Sequence, residues 1–428
     1  MPTTPDAPVP AAAPVPAAAP LAPGALEPSL RPLGSGTMLP AEAYTSGEVF
    51  AWELRHLFAG SWTCVGREDD LRASGDGSGT AKTGAGGNAG RGESRDPSGH
   101  TVTQRAVAVG DVAVLLTWPG PDRSDGPAVD DRQVRAFANT CRHRGHEILP
   151  AGSTSSRRSL LCPYHAWTYG LDGRLSAAPG FRDLDGFDPA EHGLVELPVA
   201  RWHGWVFVDA VNAAPPFTDH VGAMAGLVAP YAPERLDLLA RHDYTVAANW
   251  KVAVENYHEC YHCPLIHPEL CRVSPPSSGD NYDLPGAWVG GAMDLRDGAA
   301  TMSLDGRSGG TPIDGVDPRQ VLYLGLFPNL LLSLHPDYVM AHRLTPLAPD
   351  RTAIECSWYF VPGVSDPTYA VEFWDRTNRQ DWAACESVQR GTRSPHHRPG
   401  PLAPNEDAVH QVTRMLAGAY LGRPLHLP

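Results

Sequence analysis

The chain has 428 residues, 42% of them hydrophobic, and a formal net charge of −14. This is enough material for two or three packed domains, and the acidic balance argues against nucleic acid or an anionic membrane as the main partner, since both call for a basic surface. The eight cysteines lack the dense, regular spacing of a secreted disulfide scaffold, and several sit beside histidines, which suits metal binding in a reducing compartment.

Residues 1 to about 36 are almost entirely Pro, Ala and other small residues, a composition expected to stay disordered because it buries too little apolar surface to offset its ordering entropy. No basic region followed by an apolar core opens the chain. Ala41 to Phe58 has helical periodicity, and Ser61 to Gly66 reads as a strand. A Gly-, Ser- and Asp-rich run from about Ala73 to His100 then suggests an insertion in a surface hairpin, because long structureless loops inside compact domains are uncommon. Strand patterns follow at Thr101 to Val109, Asp111 to Trp118, Val134 to Ala138 and Ala166 to Tyr169, with a turn over Leu171-Asp172-Gly173-Arg174. This predicts a small all-β domain over residues 37–180.

Residues 181–428 have a mixed pattern. A strand is expected at Arg201 to Asp209 and a helix at Trp250 to Tyr261. Long strands are expected at Val321 to Leu334, Tyr338 to Leu344 and Ala353 to Val361, then helices at Pro367 to Arg390 and Asn405 to Leu421. Val321 to Leu334 is interrupted by Gly325, Pro328 and Asn329 and is too short to span a bilayer. A cytoplasmic α+β protein without a membrane partner is expected.

Two groups of residues carry chemistry. Cys141-Arg142-His143 and Cys162-Pro163-Tyr164-His165 are two Cys/His pairs, each in a loop after a strand-like run. One such residue alone is usually packing, but four at this spacing suggest a metal site. Structural zinc accepts two thiolates and two imidazoles, yet its usual spacings pair Cys with Cys and His with His. One of each in both loops suits a [2Fe–2S] cluster in which one iron takes both cysteines and the other both histidines.

The second group lies in Asn249 to Pro268. On a helix, Glu259 and His262 share a face; Pro264 would end that helix, and His267 could return to the same metal. Two imidazoles and one carboxylate on one face of a metal leave open positions, which suits Fe(II) oxygen chemistry. Asp375, Asp381 and Glu386 on the expected C-terminal helix are all candidates for the carboxylate. His258 points elsewhere on the helix. Asn249, Lys251 and Asn256 suit capping and orientation, and Cys260, Cys263 and Cys271 suit small buried fillers.

The strings Cys-Arg-His-Arg-Gly-His, Cys-Pro-Tyr-His-Ala-Trp-Thr-Tyr and Leu-Asp-Gly-Arg-Leu resemble the Rieske domain of ring-hydroxylating and related oxygenases, and the resemblance extends over nearly everything from Leu39 onward outside the Gly-rich insertion. It implies an N-terminal Rieske β-sandwich followed by a helix-grip domain, a curved antiparallel sheet holding a long C-terminal helix. It implies a cluster on Cys141, His143, Cys162 and His165 and a mononuclear Fe(II) on His262, His267 and Asp381, with Glu386 as the fallback. Glu259 matches the family's bridging acid, which would link His143 or His165 of one subunit to His262 of the next within a homotrimer. Ala166 stands where the family commonly has Gly; a methyl is tolerated there unless the backbone needs positive φ.

No dinucleotide-binding Gly-x-Gly-x-x-Gly context follows a strand. NAD(P)H and flavin are therefore expected on a separate reductase, flavin- and iron–sulfur-containing, or reached through a ferredoxin. Glu259-Cys260-Tyr261-His262-Cys263 and Ser333 to Tyr338 resemble the quaternary-ammonium branch, which implies O₂-dependent oxidative N-demethylation of a compound such as glycine betaine. Aromatic-ring dihydroxylation or O-demethylation is the alternative, and a non-catalytic electron-transfer protein without the mononuclear iron is a third reading. An onium pocket needs aromatic faces, for which Tyr282, Trp288, Tyr323, Phe327, Tyr338 and Trp358 are available.

Overall fold

Alternating and continuous apolar runs build four antiparallel sheets among the described residues. The computed structural model describes residues 17–73, 102–119 and 133–425. Residues 1–16 of the segment expected to be disordered, and nearly all of the Gly-rich insertion, lie outside these residues.

In the N-terminal half, a five-stranded sheet runs Thr154–Ser155, Gln104–Val109, Val112–Thr117, Arg135–Ala138 and Glu196–Leu197. A three-stranded sheet of Ser159–Leu161, Thr168–Gly170 and Leu175–Ala177 packs beside it and carries one of the two Cys/His loops. Pairing does not stop at residue 180. Glu196–Leu197 joins the first sheet, and Val199–Trp202 and Trp205–Val208 pair with each other and with Thr63–Arg67. The single strand expected at 201–209 is thus a hairpin. Its two-residue turn is His203 (φ 48°) and Gly204 (φ 85°), the positive-φ pair that matches strand twist.

The arm before the first strand also departs from the composition-based reading. Residues 17–36 are ordered: Pro23–Leu26 and Glu27–Leu30 form short helices, and the Ala19 amide donates to Tyr420 O at 2.8 Å. Leu26 is fully buried and Leu21 and Leu30 pack on the same core, so spaced leucines supply the apolar anchors that the surrounding Pro and Ala lack. Leu39, Tyr44, Val49 and Trp52 continue that contact with Trp250, Val412 and Leu416. The arm therefore packs on the C-terminal domain rather than on the Rieske-like sheets.

The C-terminal half is one seven-stranded sheet in the order Asp237–Val246, Arg351–Phe360, Tyr338–Ala348, Leu330–Leu334, Gln320–Leu326, Trp288–Asp294 and Asp280–Asn281. Strand Leu330–Leu334 is buried throughout because both faces of the sheet are covered. Its back face, with Leu322, Leu332 and Tyr359, packs on Trp62, Trp205 and Phe207 of the N-terminal half. On the front face, Gly291, Tyr323, Ser333, Met340 and Trp358 are successive cross-strand partners. Across that face lie α1 (Trp250–Tyr257), α2 (Thr368–Thr392) and α3 (Asp407–Tyr420). The run Val321 to Leu334 folds back on itself over Phe327-Pro328-Asn329 rather than forming one strand.

Candidate active site

Helix α1 starts where the Asn249 side chain accepts from the Lys251 amide at 3.0 Å. It ends at Tyr257, four residues earlier than expected, so Glu259 and His262 do not share a helical face. They meet in the turn beyond, where the Glu259 carboxylate accepts from the amides of Tyr261 and His262 and from the His262 ring at Nδ1. Pro264 does not end a helix either. It sits in the first turn of a short one, Cys263–Ile266, where its missing N–H costs nothing. That turn of helix brings His267 back beside His262.

The two histidines and Asp381 of α2 converge. His262 Nε2 and His267 Nε2 are 3.1 Å apart, and Asp381 Oδ1 is 2.8 Å from the second and 3.3 Å from the first. Metal–ligand bonds of about 2.1 Å at right angles place donors about 3.0 Å from one another, so these three fit one face of a metal ion. Asp375 instead accepts from Tyr244 and Arg379, and Glu386 accepts from the Ala247 amide. The outer nitrogens are also held: His262 Nδ1 by Glu259, and His267 Nδ1 by Gln380 Oε1 at 2.7 Å. Both rings then turn their Nε2 lone pairs inward. Gln380 had no distinguishing sequence signal beyond adjacency to Asp381. Burial disfavours a proton on His262, yet hydrogen bonds to Asp381 and Glu259 raise its pKa to about 9. This donor set strongly prefers a positive charge at its centre.

The three donors open on a cavity of about 420 Å³, a size that suits a small ligand. Its aromatic walls are Tyr257, Tyr323, Trp374 and Trp382. Of the aromatics expected from the sequence, only Tyr323 lines it. Trp288, Phe327, Tyr338 and Trp358 are buried in the cores, and Tyr282 packs beside Trp288. His342 also lines the cavity and is 3% exposed, with the Asn378 side chain as its polar neighbour and at least one ring nitrogen open. Burial pushes its pKa down to about 4. His258 is occupied elsewhere, its Nδ1 2.7 Å from Val254 O. Cys260 and Cys263 are joined by a disulfide that brackets His262, rather than acting as separate fillers, while Cys271 is free.

The other four residues form a second, more exposed site. Tight turns hold each pair: Gly145 N donates to Cys141 O at 2.9 Å, and Ala166 N to Cys162 O at 3.1 Å. Cys141 and Cys162 are buried and unpaired, and the rings of His143 and His165 lie 4.6 Å apart. Trp167 stacks on His143 at 5.0 Å, and His143 Nδ1 is buried without a partner, as a ligating nitrogen would be. Among the described residues, the only group of three or more His, Cys, Asp or Glu donors within 4.8 Å is His262, His267 and Asp381. The four Cys/His donors therefore do not close around one ion as tetrahedral zinc requires, and their wider spread suits a two-iron cluster. Tyr169, missed in the sequence, places its hydroxyl 3.2 Å from Cys141 Sγ and accepts from Arg142 N at 3.0 Å. Ala166 has φ 58°, so the backbone does need the positive φ that glycine would take without strain.

Residues 94–188 match the Rieske [2Fe-2S] domain, and residues 233–422 match the ring hydroxylating alpha subunit (catalytic domain). A glycine betaine monooxygenase oxygenase subunit of Chromohalobacter salexigens is 28% identical over 85% of this chain and 81% of its own length. A protein of the same name from Pseudomonas aeruginosa is 31% identical over 63% of this chain and 71% of its own. The fold resembles that of the quaternary ammonium Rieske monooxygenase CntA (TM-score 0.68, 24% identity, 94% and 99% of the two chains). It also resembles naphthalene 1,2-dioxygenase from Rhodococcus sp. (TM-score 0.65, 16% identity, 94% and 97%). Among the described residues no helix is long and apolar enough to cross a membrane. With its two domains, two donor sets and these relatives, the chain belongs to the Rieske-type non-haem iron oxygenases, as an alpha subunit whose cofactors are a [2Fe–2S] cluster and a mononuclear iron.

Proposed function

We propose that this oxygenase oxidises a quaternary ammonium compound at a carbon next to nitrogen, releasing an aldehyde and the demethylated amine when an N-methyl group is attacked. In this reading His262, His267 and Asp381 hold the mononuclear iron, and Cys141, His143, Cys162 and His165 hold the cluster. Bound iron supplies O₂ activation with electrons stored one at a time in the cluster. The observation that carries the substrate class is the cavity: four aromatic rings wall the space onto which the three donors open. Aromatic faces attract an onium group, which neither donates nor accepts ordinary hydrogen bonds.

The chain's own residues do the positioning. Glu259 and Gln380 fix the two imidazoles, and α2 sets Asp381 and two of the aromatic rings on one rigid face. Family members are terminal oxygenase components that form multimers and take electrons from a separate reductase. Here the route we infer crosses between subunits of a homotrimer, from a cluster histidine of one copy through Glu259 to His262 of the next. Beside Glu259, Tyr261 and Leu265 are 61% and 92% exposed, and at the cluster Tyr164 is 50% exposed. Two apolar, solvent-facing patches next to the two centres are what such a contact would bury.

The test supplies a flavin and iron–sulfur reductase and NADH and follows O₂ uptake with mass spectrometry of the products. Uptake that depends on a quaternary ammonium compound, with oxidised or demethylated product, is expected. A cis-diol from an aromatic acid, with no ammonium compound turned over, would overturn the substrate reading.

A further inference from the structure

Resting on the quaternary-ammonium reading, the chemistry of the cavity wall can be taken one step further. Its charged lining consists of Glu259, Asp280, Asp381 and Asp407, and no Lys or Arg lines it among the described residues. Two of these carboxylates belong to the iron site and its support; Asp280 comes from the edge strand Asp280–Asn281 and Asp407 from the first turn of α3. A zwitterionic substrate would have to bring its own carboxylate into a space where no cationic side chain receives it; the metal held by the three donors would be the one positive charge within it, and a carboxylate drawn there would compete for the open positions.

The wall does offer a neutral polar partner. His342 projects from the front face of the sheet, two residues along its strand from Met340. Tyr257 and Trp382 stand edge-on to its ring at 6.2 and 6.1 Å. It is 3% exposed, and Asn378 of α2 is the polar side chain in reach of its ring, so at least one of its two nitrogens is left without a partner. The Tyr323 hydroxyl, on the same wall, is also unpartnered. A buried imidazole with an unmade hydrogen bond carries a standing desolvation cost that a ligand group can remove. Burial keeps His342 in its neutral form, so it suits a hydroxyl far better than a carboxylate.

We propose that the cavity is built for an onium compound whose second polar group is an uncharged hydroxyl, with His342 as the residue that binds that hydroxyl, and that it discriminates against betaines. His342 is then a specificity-determining residue, with the onium group left to the aromatic walls and the carboxylates Asp280 and Asp407.

The experiment compares choline, ethyltrimethylammonium and glycine betaine as substrates of the reductase-coupled holoenzyme, using wild type, His342→Leu and His342→Gln. For wild type, kcat/KM for choline should exceed that for glycine betaine by about tenfold or more. His342→Leu should lower kcat/KM for choline about tenfold more than for ethyltrimethylammonium, which lacks the hydroxyl, and His342→Gln should restore part of that difference. Equal losses for choline and ethyltrimethylammonium would overturn the role of His342. Glycine betaine used as well as or better than choline by wild type would overturn the proposed selectivity while leaving ammonium oxidation in place. No oxidation of any of the three would overturn both. The wild-type comparison decides the selectivity even if a variant does not fold.

Discussion

Glu259 hydrogen-bonds His262 at Nδ1, while Nε2 of the same ring faces Asp381 at 3.3 Å. One imidazole thus connects a half-buried acid at the protein surface to the centre of the donor set. Replacing Glu259 with Gln keeps the size of the side chain but removes its charge. The expected result is a loss of turnover of about 10–100-fold with both metal sites still filled. Iron content, the cluster's visible spectrum and single-turnover oxidation of a reduced enzyme check this; normal single-turnover rates would remove Glu259 from the electron route.

Asp381, rather than Asp375 or Glu386, completes the donor set. Asp381→Ala should lower bound iron by about one atom in three, with acid-labile sulfide unchanged, since one cluster and one mononuclear site account for the total. Asp375→Ala and Glu386→Ala should keep the full iron-to-sulfide ratio. Metal analysis of the three purified variants distinguishes the assignments.

Ala166 holds a left-handed backbone at φ 58° between His165, a proposed cluster ligand, and Trp167. Such a conformation costs an L-residue about 1–2 kcal/mol, part of which glycine returns to the unfolded chain as entropy. Ala166→Gly should therefore stabilise the protein by about 0.5–1 kcal/mol. A raised midpoint in thermal or denaturant unfolding followed at the cluster absorbance would show it; a fall would mean that the methyl makes a compensating contact.

Tyr169 must donate to Cys141 Sγ once that sulfur is a metal-bound thiolate, across 3.2 Å. Hydrogen bonds to cluster sulfur favour the reduced, more negative state. Tyr169→Phe should lower the cluster potential by roughly 50 mV, the equivalent of about 1 kcal/mol for one electron. A redox titration followed by electron paramagnetic resonance reads this directly.

Glu255 lies on α1, buried, accepting from Tyr44 of the N-terminal arm at 2.6 Å. Burial raises its pKa from 4.5 to about 7, against the opposing pull of Tyr44 and Lys251. A carboxyl raised in the folded state contributes stability that is fully present below its unfolded pKa and is lost as pH rises through the folded value. The window is therefore about pH 4.5 to 7, and the effect is on the order of 3 kcal/mol. Glu255→Gln mimics the protonated form, so its melting temperature should gain on wild type between about pH 5 and 7 and level off above that. A constant difference between the two across that range would contradict the assignment.

What the sequence disclosed follows from where the information lay. Donor spacing is local, so the candidate pairs Cys141/His143, Cys162/His165 and His262/His267 are legible without any fold. Choosing among Asp375, Asp381 and Glu386 needed the family resemblance, because α2 alone places acids at several positions. The face that matters was nevertheless written in the spacing Trp374, Thr377, Asn378, Asp381 and Trp382, the i, i+3, i+4, i+7, i+8 pattern of one helix surface. The strand aromatics compete with it in the sequence, but of these only Tyr323 reaches the cavity. Strand Asp237–Val246 was missed because its half-exposed, charge-bearing sequence is that of a sheet edge. The ordered arm at residues 17–36 was hidden by its composition, since a few leucines among Pro and Ala gain a core only when α3 is present to receive them.

That α2 carries both the carboxylate of the donor set and an aromatic wall of the cavity also makes it a ruler. Trp374 and Asp381 are seven residues apart, so their Cα atoms are separated by about 10 Å along the axis. The spacing between the donor set and this lining ring is thereby set by helix geometry rather than by any loop. Exchanging side chains along this rod can retune which molecule fits at constant reach. Inserting a single residue between the two would rotate one of them by about 100° and uncouple recognition from chemistry.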